Sequence, residues 1–279
     1  MLLGACAVAA EKPAPTPSAV VLIVADREPA SPSGFVVEAA RGVRFTRAYT
    51  ADPDSTRGRE AVLSGRFPHA AVEGRDLPVL LGARCTLVQA KAGTGVAALW
   101  ETLRGLERAG TIDDTLVAFT ACRGGDDESW FEKSVHVPMM IQWPRRIRAD
   151  VTDVLASGVD LAPTILALCG VAAPDAIQGR DLSATLLGSA GDRPESIYAE
   201  GRVGTADSWR MMVRGLDKLV FTPDLRILHL YNLGQDPEET TDLAREISEE
   251  RKCDELRAIA ADWRRRLSDE IDPSGLKRR

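Results

Sequence analysis

The order of apolar strands and amphipathic helices predicts an α/β protein: a three-layer sandwich around a mainly parallel sheet, with a small C-terminal lobe of strands and a helix. Three observations carry this. Val20 to Ala25 is a continuous apolar run rich in β-branched residues, as expected of a strand covered on both faces. Thr115-Leu-Val-Ala-Phe-Thr120 repeats that pattern, and Val137-Pro-Met-Met-Ile-Gln-Trp-Pro144 supplies a third strand bounded by prolines. Between the first two, Val96, Leu99, Trp100, Leu103 and Leu106 recur at helical spacing as far as Gly110, a helix terminator. Strands alternating with helices favour parallel pairing.

In chain order, Ala7 to Ser18 reads as a Pro/Ala-rich tether. Phe35 to Ala40 reads as helix and leads through Gly42 into a strand over Val43 to Tyr49. Ser55 opens a turn that Glu60 to Leu63 continue as a helix, with Ser55 as N-cap. In Val154-Leu-Ala-Ser-Gly-Val-Asp160-Leu-Ala-Pro163-Thr-Ile-Leu-Ala-Leu-Cys-Gly170, Pro163 sits where a first helical turn tolerates it and Gly170 stops the helix. Trp209 to Val220 reads as two strands around a turn, and a charged helix from about Glu246 to Leu267 closes the chain. The expected organisation is a leader or tether over 1–18, an α/β domain over 19–195 and a C-terminal subdomain over 196–279.

Composition narrows the function. A chain of 279 residues, 44% hydrophobic and 27% charged, buries one substantial core. Its net charge of −6 and pI near 5.3 argue against a nucleic-acid partner, which needs a basic stripe. No apolar run approaches the ~20 residues of a transmembrane segment. The five cysteines are scattered, which suits free thiols better than a disulfide framework or zinc cluster. Leu3-Gly-Ala-Cys6 resembles a bacterial lipobox, so one reading is an exported, periplasmic or lipid-anchored chain held through Cys6. A disordered leader is the other reading, and a cytoplasmic location stays open.

The chemistry concentrates in Ala51-Asp-Pro-Asp-Ser55-Thr-Arg57-Gly-Arg59-Glu-Ala-Val-Leu-Ser-Gly65-Arg66-Phe-Pro-His69, with the strand ending in Asp26 upstream. Further on stand Gln178-Gly-Arg-Asp-Leu182 and Leu230-Tyr-Asn-Leu-Gly-Gln-Asp236-Pro-Glu-Glu-Thr-Thr-Asp-Leu-Ala244. Together these segments resemble the type I sulfatases of the alkaline phosphatase superfamily, over residues 20 to about 250. The resemblance implies an alkaline phosphatase-like sandwich and sulfuric ester hydrolysis. It also implies a Cys or Ser oxidised to formylglycine, and a calcium ion held by an Asp pair and a later Asp-Asn/His pair.

Position by position, the family pattern is incomplete. Asp26 matches the first acid, and Arg27 stands at the second. Cys122 and Arg123 stand where the later pair belongs, so Asp26 is the sole surviving metal-ligand position. A dication ~4 Å from one guanidinium is repelled by roughly 8 kcal/mol at an effective dielectric of ~20, so no cofactor is expected where the family has calcium. Ser55 holds the nucleophile position, but Arg57 replaces the motif's Pro. Arg59 matches the Arg that steadies the nucleophile. Lys91, closing Leu87-Val-Gln-Ala-Lys91, matches a catalytic Lys, but the His that should follow is absent from the short bridge between Arg66 and Thr115. A second family Lys aligns near Asp127 and is also lost.

The catalytic candidates are therefore Ser55, Arg59 and Lys91, and Arg27, Arg57 and Arg123 are anion-binding candidates. The expected function is a sulfatase-family chain whose hydrolysis has been lost, binding sulfate, a sulfated small molecule or a sulfated glycan, with amides of the helix after Ser55 contributing donors. The alternative is an active ester hydrolase using Ser55. Asp26 is expected to form an ion pair with Arg27 or Arg123 in place of the metal. Apolar surface left by the short bridge suits an oligomer or a partner protein.

Overall fold

Val20, Leu22 and Val24 face one apolar cluster and Ile23 faces another, so the first strand is buried on both sides. The computed structural model describes residues 15–28, 41–70, 76–189, 191 and 193–269. The lipobox at Cys6, most of the tether and the helix expected over Phe35 to Ala40 lie outside the described residues.

Strand β1 (Ala19–Ala25) is followed by β2 (Val43–Phe45), β3 (Ala48–Tyr49), helix α1 (Ser55–Ser64) and the short α2 (Leu77–Leu81). Next come β4 (Cys85–Ala90), α3 (Gly95–Ala109), β5 (Thr115–Ala121), α4 (Glu132–Val135), β6 (Met139–Gln142), β7 (Asp150–Thr152) and β8 (Ala156–Ser157). Helices α5 (Leu161–Leu168) and α6 (Ser183–Leu186) precede β9 (Ser196–Gly201), β10 (Trp209–Arg214), β11 (Asp217–Phe221), β12 (Ile227–Asn232) and α7 (Glu250–Leu267).

The main sheet has six strands in the order β4-β1-β5-β6-β2-β7. Every strand runs one way except β6, which is antiparallel to both β5 and β2. Leu22, Leu116 and Ala118 pack against Val62 and Leu63 of α1 and Leu161, Ile165 and Leu166 of α5. On the opposite face Ile23, Val117 and Phe119 pack against Leu99 and Leu103 of α3. Each fully buried side chain of this size contributes about 1.5–3 kcal/mol, which is why the sheet needs both helical layers. α3 ends at Gly110 as the sequence predicts, with φ 67°, the left-handed conformation glycine adopts freely.

A second sheet, β12-β11-β10-β9, is antiparallel. Tyr198, Met212, Leu219, Phe221 and Leu230 on one face meet Leu256 and Ala260 of α7, together with Ala61 and Phe67 from the α1 region. Ile197, Ala199, Met211, Val213 and Val220 on the other face meet Tyr49, Val135 and Leu155. The small sheet is thus sandwiched between its helix and the larger layer. Two local expectations change. The single strand over Val43 to Tyr49 divides at Thr46 and Arg47, and its halves pair in different sheets: β2 with β6 and β7, β3 with β8. The helix after Ser55 is capped by Asp54, whose carboxylate accepts from the amides of Thr56 and Arg57.

Candidate functional site

Three adjacent parallel strands end together. Ala25 of β1 lies level with Ala90 of β4 and Ala121 of β5, so Asp26, Lys91 and Cys122 are the first residues past the sheet. The Asp26 amide donates to Ala90 O at 2.9 Å and the Cys122 amide to Ala25 O at 2.8 Å, fixing those exits. β4 and β5 lie on opposite sides of β1, and such a reversal of strand order opens a crevice at the carboxyl ends of an α/β sheet.

Helix α1 lies over this end. A Cβ on Gly58 would stand 2.5 Å from Asp52 O and 3.2 Å from the Cys122 Cβ, so the helix approaches the sheet end as closely as glycine permits. Glu28 closes the other side. Its buried carboxylate accepts from the Gly95 amide at 3.0 Å at the start of α3, and its own amide donates to Arg123 O at 2.9 Å.

The charges around Cys122 define the crevice. Burial pushes this thiol up to about 12; Asp26 and Asp54 raise it, and Arg59 and Arg123 lower it. The strand ends thus place Asp26, Lys91, Cys122 and Arg123 side by side under the turn of α1 that carries Arg59, with Lys91 exposed. Ser55 is half-buried at the first position of α1, one residue after its cap.

The other arginines are engaged. Arg27 pairs with Asp126, so Asp26 does not hold it. Arg57 Nε donates to Asp52 Oδ2 at 2.8 Å, and Asp52 is fully buried. The α1 amides of Thr56 and Arg57 go to Asp54, at 3.0 and 2.8 Å. They are not free for an anion. Neither Asp26, Arg59, Lys91 nor Arg123 makes an ion pair among the described residues, so the pair expected for Asp26 does not form. Arg123 Nε is buried with no acceptor.

All three histidines have partners. His136 Nε2 lies 2.9 Å from Thr46 O and His229 Nδ1 lies 2.9 Å from Asp242. His69 Nδ1 lies 2.8 Å from Glu200, and its Nε2 lies 3.1 Å from Leu267 O. None is a free base for Ser55.

Calcium takes about six to eight oxygen ligands. The sheet end offers the Asp26 carboxylate, a protonated thiol and two guanidiniums, with the Asp54 carboxylate committed to its helix cap. That donor set does not fit calcium. Elsewhere, His69, Glu200 and Asp269 form the one cluster of at least three acid, His or Cys groups close enough to share an ion among the described residues. Arg210 fills it, donating to Asp269 at 2.7 and 2.9 Å and lying 3.3 Å from Glu200.

Not expected from the sequence were the acids that occupy the two arginines and the amides of α1. Asp54 was findable as a cap directly before the helix. Asp126 and Asp52 carried no local signal.

The family model described as N-sulphoglucosamine sulphohydrolase, C-terminal, matches residues 125–266. The chain belongs to the sulfatase family. The match covers the second half of the chain, from just past Arg123 into α7. Among individual sulfatases, an N-acetylglucosamine-6-O-sulfatase of Bacteroides thetaiotaomicron is 26% identical over 185 residues, 60% of this chain and 33% of that protein. Human arylsulfatase A is 33% identical over 119 residues, 37% of this chain and 24% of that enzyme. The chain therefore spans a third or less of the length of these relatives. A structure solved in complex with its substrate D-glucosamine-2-N,6-O-disulfate superimposes with a TM-score of 0.79 at 13% identity, covering 95% of this chain and 100% of that one. The likeness shows that the two chains share a fold. No helix among the described residues is long and apolar enough to cross a membrane.

Proposed function

We propose that this sulfatase-family chain binds a tetrahedral oxyanion group, free or as the ester of a small molecule or glycan, at the joint ends of β1, β4 and β5, and does not hydrolyse it. The observation that carries this reading is Arg123, whose buried Nε has no acceptor. A buried donor left unpaired costs about 1–3 kcal/mol, and an oxyanion oxygen would satisfy it with a charge-assisted bond. Arg59 and Lys91 supply the remaining positive charge. Arg27 and Arg57, held by Asp126 and Asp52, frame the site without contacting the ligand.

The same residues support the loss of hydrolysis. Ser55 has no histidine base, the guanidiniums stand where carboxylates would hold calcium, and the Cys122 thiol is protonated at neutral pH. In this reading the α/β domain runs over 19–195 and the C-terminal subdomain over 196–279, Cys6 anchors an exported chain, and the surface left by the short bridge meets a second copy or a partner protein.

Titration calorimetry with inorganic sulfate, inorganic phosphate and D-glucosamine-2-N,6-O-disulfate tests it. The wild type gives saturable heats, and Arg123→Gln weakens binding at least about tenfold, the loss of one charge-assisted bond. Arg59→Ala weakens it too. Negligible heats for wild type and variants alike remove the reading. Aryl-sulfate turnover, together with bound calcium and the mass loss of an oxidised Ser55, would replace it with the hydrolase.

A further inference from the structure

We infer that the site at the sheet end selects an oxyanion that carries a proton, phosphate or a singly ionised phosphomonoester, over sulfate and sulfate esters. The inference rests on the oxyanion-binding reading above and names the ligand class of that site.

Arginines alone would not discriminate between the two anions, because guanidinium N–H groups only donate. Asp26 changes the chemistry. It leaves the sheet beside Cys122, its backbone is fixed by the bond to Ala90 O, and its half-buried carboxylate makes no ion pair among the described residues. It leaves β1 level with the β5 exit that carries Cys122 and Arg123, under the helix turn where Gly58 meets Cys122 and Arg59 follows, so acceptor and donors stand at one sheet end. An ionised carboxylate only accepts hydrogen bonds. Inorganic phosphate keeps at least one P–O–H proton throughout the neutral range and can donate it to Asp26 while its other oxygens accept from Arg59 and Arg123. Sulfate has no such proton. Its oxygens would face the Asp26 oxygens lone pair to lone pair, with both groups negative. A phosphomonoester behaves as phosphate below its second pKa near 6 and as sulfate above it.

The local charge agrees. Asp54 is spent on its cap, Arg27 is paired with Asp126 and Arg57 is held by Asp52. What faces the ligand is two guanidiniums, one exposed lysine and one acid, a site of modest positive charge in which a single misplaced acceptor decides the outcome.

Calorimetry of the full chain with inorganic phosphate and inorganic sulfate reads the selectivity directly. Phosphate is expected to bind about tenfold or more tightly, and the isosteric Asp26→Asn, whose amide can donate to either anion, to bring the two level. A wild-type measurement makes the result independent of the variant's folding: methyl phosphate should outbind methyl sulfate at about pH 5 and lose that advantage at about pH 8. Sulfate binding at least as tightly as phosphate, or a methyl phosphate advantage unchanged with pH, overturns this inference and leaves the oxyanion-binding reading standing. Absence of binding by every one of these anions removes both.

Discussion

Gly58 shows how tightly the site is assembled. It lies inside α1, where alanine would ordinarily favour the helix by about 1 kcal/mol. Here an alanine methyl would meet Asp52 O at 2.5 Å and the Cys122 Cβ at 3.2 Å. Gly58→Ala should therefore reverse the propensity argument and destabilise the chain by about 1–3 kcal/mol, read from the denaturant midpoint. A neutral or stabilising result would mean that α1 can lift off the sheet end. At this scale the sequence was informative about identities and poor about allegiances. Asp26, Ser55, Arg59 and Arg123 stand near the sheet end because their motifs fix them to strand ends and a helix start. The destinations of Arg27 and Arg57 were not legible. Arg27 is held by an acid contributed from far along the chain, and Arg57 by one across Pro53, and neither pairing follows a helix or strand period.

Among the elements, the turn leaving α1 is fastened by a network that no local pattern announces. His69 lies between Glu200 of β9 and the last carbonyl of α7, and both ring nitrogens face acceptors, an arrangement that favours the imidazolium. Burial alone would lower its pKa, but the bond to Glu200 and the charges of Glu200 and Asp269 raise it above the usual 6.5. Arg210 and the Tyr198 hydroxyl hold Asp269 on the far side of the network. A raised histidine stabilises the fold fully below about 6.5, and that contribution disappears as pH rises through the folded value. Asp52 acts in the same direction. Its carboxyl is pushed up to about 7 by burial, against the pull of the Asp54 amide and Arg57, so the folded chain keeps a proton that the unfolded chain loses near 3.8. The melting temperature should fall as pH rises from about 4 through 7, and His69→Gln should flatten the part of the fall above about 6.5. A curve that is level or rising across this window contradicts the assignment. β1, α3 and β5 were readable because continuous burial and helical spacing mark both-face strands and their covering helix. The division of β2 from β3 was not, since an unbroken run hides a change of sheet.

For the whole molecule, two buried ionic clusters join the small sheet to the larger layer. One is the His69 network. In the other, Lys218 Nζ, with no exposed surface, lies 3.0 Å from Glu132 and 2.7 Å from Glu239, while the Tyr49 hydroxyl donates to Glu132 at 3.2 Å. Removing the lysine leaves two acids uncompensated, so Lys218→Ala should cost roughly 3–5 kcal/mol. Because shared apolar clusters cross the same boundary, both sheets should still melt in one calorimetric transition. Two separated transitions would mean that the lobes fold independently. The closing Leu230 to Ala244 motif made this half of the chain recognisable, and it is structural: Asp242 receives the Leu230 amide and His229, shaping the turn against β12. Glu28 brings the scales together. This single carboxylate seats the start of one helix while its amide grips the strand exit that carries Arg123. Losing it would free both elements at once and leave Arg123 present but misplaced.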